Sequence, residues 1–208
     1  MQTSDLRLRF VSAAIAVAAV VLIATALGGC NTGTSPYMTP ASPSPAAEAA
    51  ADTATVVFVR PSQFGGADRV TIMDGKGRFM GDTLPGTYFA VKMPPGEHVF
   101  VSWGENTSAV KATVAAGKTY YVEAYGPGGS GTPRLALRAV TVSSTSWGQI
   151  DGWLANGRPL APDEAKGQAY LQAEASGVAS ALARGNKVLA AYSSAELPEH
   201  TLSPEDGK

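Results

Sequence analysis

The chain of 208 residues carries one thiol, Cys30, and two imidazoles, His98 and His200. One cysteine allows no intramolecular disulfide and no multi-cysteine zinc site. Its thiol remains a nucleophile, open to covalent modification. Of the imidazoles, His200 falls in a polar C-terminal stretch and His98 opens a β-like run beside Glu97. Alternation sets His98 opposite the face of Val99, so it points outward or sits at an edge. A catalytic base needs a nucleophile and an orienting partner, and spacing supplies neither. Ser130 lacks the Gly-x-Ser-x-Gly setting of a nucleophile elbow. Residues 126–131 (GPGGSG) match Gly-x-Gly-x-x-Gly. Thr132-Pro133 and a β-like run follow where a phosphate site needs a helix N-terminus, so this is a hairpin loop. Gly117-Lys118-Thr119 matches the end of a phosphate-binding loop, but Ala112 stands where its first glycine belongs. Asp74 and Asp82 flank a hairpin without the regular oxygen spacing of a calcium loop, and read as turn carboxylates. The aromatic residues that remain are Tyr88, Trp103, Tyr120, Tyr121 and Tyr125. Tyr121 and Tyr125 share one strand face and, with His98, are the candidate binding patch. No set of groups assembles for catalysis, and no cofactor or metal site is expected.

The chemistry of Cys30 depends on what precedes it. Arg7 and Arg9 stand before an almost wholly apolar stretch, residues 10–27, and Gly28 and Gly29 follow. A positive start, an apolar middle and a small-residue exit are the parts of an export signal. A membrane-spanning helix is the alternative, since those residues as a helix reach about 27 Å. Leu27-Gly28-Gly29-Cys30 resembles the bacterial lipobox. That resemblance implies a diacylglyceryl group on the Cys30 thiol, cleavage before Cys30 and acylation of the new amine. Under either alternative Arg7 and Arg9 stay in the cytoplasm and the remainder lies outside. Each buried CH₂ contributes about 0.8 kcal/mol, so two or three acyl chains hold the chain to a membrane. Asn31 replaces the Asp that marks inner-membrane retention, which points to the outer membrane in a cell that has one.

The formal charge of −1 becomes −2 once residues 1–29 take Asp5, Arg7 and Arg9 with them. That balance excludes nucleic acid as an expected partner. The expected partners are the membrane, through the acyl chains, and other envelope proteins.

Elements follow from composition. Residues 30–52 hold Cys30 and a Pro/Ser/Ala-rich stretch whose only large apolar groups are Tyr37 and Met38. Such a stretch cannot offset its ordering entropy and reads as a disordered tether spanning roughly 25 Å. From residue 53, short β-like runs alternate with Gly/Pro turns: 55–60, 69–74, 78–81, 87–93, 97–103, 108–114, 118–125 and 134–142. Their close spacing predicts a mainly β fold, an antiparallel β-sandwich over 53–142 with Val99, Val101 and Trp103 facing inward. Residues 143–196 form a C-terminal extension in which Trp147, Ile150, Trp153 and Leu154 pack back on the sandwich. A helix is expected over about 163–184, started by Pro162-Asp163-Glu164 and ended by Gly185-Asn186. Its Ala-rich stripe marks it as an accessory, so a chain ending near Ser146 should still fold. Residues 197–208 are expected to fray.

The blocks VVFVRPSQFGGA (56–67), DGKGRFMGDTLPGTYFAVKMPPGEHVF (74–100) and AAGKTYYVEA (115–124) resemble a domain family of small bacterial lipoproteins. That family is similar to the transthyretin-like, or carboxypeptidase-regulatory-like, β-sandwich. The resemblance covers roughly residues 53–142 and implies a fold without an assigned activity. The functional expectation is therefore a lipid-anchored envelope protein with an interaction or structural role. A small-ligand carrier is the alternative, and a periplasmic hydrolase a third.

Overall fold

A computed structural model describes residues 34–42, 51–62, 69–126 and 135–208. The signal segment, Leu27, Gly28, Gly29, Cys30 and Ser130 lie outside these residues. In chain order the elements are β1 (Met38–Pro40), β2 (Ala54–Arg60), β3 (Val70–Asp74), β4 (Phe79–Thr83), β5 (Thr87–Met93), β6 (Gly96–Trp103), β7 (Thr107–Val114), β8 (Thr119–Tyr125), β9 (Ala136–Ala139), α1 (Ile150–Asn156), β10 (Arg158–Pro162), α2 (Glu164–Ala173), α3 (Ala175–Ala191) and β11 (Thr201–Leu202).

The fold is mainly β. One sheet has the order β1-β10-β5-β2-β8-β9 and the other β11-β7-β6-β3-β4. Most pairs are antiparallel, but β2 with β8, β5 with β10 and β7 with β11 run parallel, so both sheets are mixed. A parallel pair needs a long crossover. For β2 and β8 the second sheet is that crossover, since β3, β4, β6 and β7 lie between them in sequence. The run TVVFVR becomes β2, which is buried at every position, Arg60 included, and flanked by β5 and β8.

Phe58 of the first sheet lies 5.1 Å from Phe89 and meets Phe100 of the second edge-to-face at 5.1 Å. This is the core between the sheets. Each sheet is also covered on its outer face. Val57, Val59, Tyr88 and Tyr121 pack with Ile150 of α1. On the far side α2 and α3 lie close on the second sheet. A Cβ on Gly167 would meet the Phe79 ring at 2.1 Å, and one on Gly177 would meet Trp103 at 2.9 Å. Helix-interior glycine lowers propensity, and here it permits the close contact of helix and sheet.

These outer layers correct the strand faces expected from sequence. Phe100, not Val101, faces the other sheet, and Val101 and Trp103 face α3. Both faces of β6 are covered, so both carry apolar residues and alternation alone cannot orient it. His98 shares the Phe100 face at the rim, its ring parallel to Phe100 at 6.4 Å.

Three boundaries also change. Part of the expected tether is structured: β1 pairs with β10, Met38 to Pro162, and Met38 is buried in the core. Tyr37 and Met38, the two large groups in that stretch, are the ones that dock. The expected single helix is two, divided at Glu174, where ψ is +28°. Asp163 caps α2 by accepting from the Lys166 amide at 3.1 Å. Beyond it, α3 runs through Gly185 and Asn186 to Ala191; a Cβ on Gly185 would meet Val101 at 3.0 Å, so this glycine marks a close helix–sheet contact and not a stop. The expected frayed tail is docked, with His200, Leu202 and Asp206 buried. Asp206 accepts from the Ser203 and Val142 amides at 2.8 and 3.0 Å, which fastens a polar segment that carries little apolar surface.

Candidate functional site

The three residues of the sequence-derived patch are not brought together. His98 stands at the rim of the second sheet, while Tyr121 and Tyr125 lie on β8 of the first. Tyr121 is buried in the layer under α1, with the Lys208 ammonium 5.7 Å from its ring. Tyr125 lies under the Arg138 guanidinium at 4.5 Å. That guanidinium donates to Glu123 at 2.7 Å and to Ser146 at 3.0 Å. Burial pushes both phenols above their ordinary pKa. Tyr121 is thus a packing group of the outer layer, and Tyr125 is a half-buried ring covered by Arg138.

His98 does line a cleft. Its volume is about 880 Å³, and the lining includes Asp74, Lys76, Arg78, Glu97, His98 and Lys111. Three strand ends build it: the turn after β3, the turn into β6, and the later part of β7 beside β11. Asp74 accepts from the Lys76 and Arg78 amides, both at 2.8 Å, and lies 3.5 Å from the Arg78 guanidinium. It is thereby committed to holding the turn. His98 Nε2 lies 2.8 Å from the Pro94 carbonyl oxygen, and only a donating Nε2–H satisfies that contact. The neutral ring is then left with Nδ1 as its acceptor. Cationic side chains outnumber anionic ones in the lining, which suits a polar or anionic small molecule. Exposed charges at such a cleft are screened by salt.

Asp82 serves elsewhere. It is fully buried at the opposite end of the second sheet and accepts from Thr71 Oγ1 at 2.7 Å and from the Ser35 hydroxyl. The Arg69 guanidinium lies 3.9 Å away. Around it stands an aromatic cluster that sequence reasoning missed. Tyr37 stacks on Tyr170 at 4.8 Å, Tyr170 stacks on Trp103 at 5.7 Å, and Arg69 lies 4.9 and 5.0 Å from the Tyr37 and Tyr170 rings. One signal was present: Tyr37-Met38 is out of place in a polar stretch. The partners themselves are far apart in sequence, and no local pattern joins them. Among the described residues, no group of three His, Cys, Asp or Glu side chains could hold a metal ion.

His200 is the second buried polar group of note. Its ring stacks on Tyr192 at 3.8 Å, and its Nδ1 meets no partner among the described residues. Burial holds its pKa below the ordinary value. The folded state therefore favours the neutral ring. As pH falls below the ordinary imidazole pKa of about 6.5, the unfolded segment takes up a proton that the folded one resists. Acid should thus weaken the docking of residues 200–206 specifically. Hydrogen exchange, corrected for intrinsic rates, should rise there between pH 7 and pH 5 and should do so less in His200→Phe. Exchange with no pH dependence at this segment would contradict it.

No family model, curated protein or solved structure matches the chain.

Proposed function

We propose that the chain is a lipid-anchored cell-envelope protein whose folded domain serves an interaction or structural role and not catalysis. The observation that carries this is the order Arg7, Arg9, the apolar stretch 10–27 and Leu27-Gly28-Gly29-Cys30. It places a lone thiol where a lipid would consume it, outside the cytoplasm, with Asn31 favouring the outer membrane of a two-membrane cell. Kinship with the transthyretin-like lipoprotein domains belongs to the same proposal and rests on the RPS, PPGEH and GKTYYV blocks. Radiolabelled palmitate should enter the wild type and not Cys30→Ser. Equal labelling of the two would overturn the anchoring.

The second reading is a small-ligand carrier, and the cleft beside His98 favours it. Native mass spectrometry of the purified protein distinguishes the two. A bound small molecule displaced in Lys111→Glu would support the carrier, whereas crosslinking to one reproducible envelope protein supports the interaction role. Hydrolytic activity abolished in His98→Ala would contradict both.

A further inference from the structure

The chain enters the fold much closer to Cys30 than its composition suggests. Ser35 donates its hydroxyl to buried Asp82. Two residues on, Tyr37 stacks on Tyr170, and its carbonyl accepts from the Asp163 amide at 2.8 Å. β1 then runs along β10 in register. Five residue steps separate Cys30 from Ser35, and a fully extended chain covers at most about 18 Å in that number. A tether reaching residue 53 would have allowed about 80 Å.

The place of attachment has a definite position on the domain. Asp82 pairs across the second sheet with Thr71, Thr71 with Trp103, and Trp103 with Thr107. Ser35, Arg69, Tyr37, Tyr170 and Trp103 therefore gather at one end of that sheet, together with the exposed turn at Gly104 and Glu105. The His98 cleft opens at the other end. Five residue steps along β6 separate His98 from Trp103, roughly 17 Å at strand rise. The chemistry of the near end suits a lipid headgroup layer. Half-buried Tyr and Trp rings favour the boundary between water and hydrocarbon, and an arginine beside them can pair with phosphate.

Resting on the lipid anchor proposed above, we propose that the domain stands with this end against the phospholipid headgroups and its His98 cleft turned away from the membrane. The short link makes close approach obligatory, and the Tyr37–Tyr170–Arg69 cluster selects the end that approaches. A binding site at the far end would then be open to partners or solutes in the compartment.

The lipidated full chain provides its own test, because acylation consumes the only native thiol. Glu105→Cys and Lys76→Cys each add a single free thiol, at the near end and at the cleft. Both positions are exposed. Each variant would carry a fluorophore and be reconstituted in phosphatidylethanolamine/phosphatidylglycerol vesicles that contain a headgroup-nitroxide phospholipid. The Glu105→Cys label should be quenched several-fold more than the Lys76→Cys label. A long Gly/Ser insertion after Asn31 should shrink the difference. Equal quenching at the two sites, or stronger quenching at Lys76→Cys, would overturn the orientation while the anchor stands. Failure of palmitate to enter the same preparation, with no flotation of protein with the vesicles, would overturn the anchor itself.

Discussion

A chain ending at Ser146 should be unfolded, with no cooperative melt and no near-ultraviolet circular dichroism. The expectation from sequence is the reverse, a sandwich that stands without its extension. The difference lies in what covers the outer faces. Removing residues 147–208 takes away α1, α2 and α3 together with β10 and β11. β1 loses its partner, and β5 and β7 become open edges. Val57, Val59 and Tyr121 on one sheet lose Ile150 and the Trp147 and Trp153 rings that pack beside it. On the other sheet Phe79, Val101 and Trp103 lose their helix cover. Exposure of one large apolar side chain costs about 1.5–3 kcal/mol. Six of them at that rate match or exceed the whole stability of a typical domain, about 5–15 kcal/mol. A truncated chain that melts cooperatively would return the helices to the status of accessories.

Val101→Asp should lower stability by several kcal/mol, enough to leave little folded protein at 37 °C. Val101 is 1% exposed and lies directly under α3. Its two Cγ atoms would stand 3.0 Å from a Cβ placed on Gly185, so no water can reach a carboxylate there. Val101→Ala serves as the milder control, removing two methyl groups for about 2 kcal/mol. Urea denaturation of the three proteins gives the comparison. Because the lost contacts are with α3, the far-ultraviolet helix signal should weaken first in Val101→Asp. A midpoint equal to wild type would mean that α3 does not close over the sheet.

Particular residues show which features of the fold were legible in the sequence. β2 is plain because Val56, Val57, Phe58 and Val59 are apolar at four successive positions, the pattern of a strand buried on both faces. β6 was recognisable as a strand but not orientable, since Phe100 and Val101 are both covered, one by a sheet and the other by a helix. β1, β10 and β11 are three, five and two residues long, too short to display a period. β10 also contains Pro159 and Pro162, which argue against a strand inside a sheet because proline donates no ladder hydrogen bond. Its neighbours β1 and β5 take what it can still offer. Its place beside a hairpin makes Asp82 a turn carboxylate by sequence, yet it accepts from Ser35, 47 residues upstream. A cleft formed by three separate turns and a cluster formed from Tyr37, Arg69, Trp103 and Tyr170 are products of topology. Alternation sets His98 on the outward face of β6, whereas it shares the inward Phe100 face and is only partly covered because it stands at the rim of the sheet.

The mass of the mature N-terminal peptide tests the lipid anchor most directly. Membranes from cells making the full chain would be solubilised, and the protein digested and analysed by mass spectrometry. The expected peptide begins at Cys30 and carries the mass of a diacylglyceryl group, with or without a further acyl chain on its amine. A mature protein that still holds residues 1–29, or one that begins at Cys30 with an unmodified thiol, would contradict it.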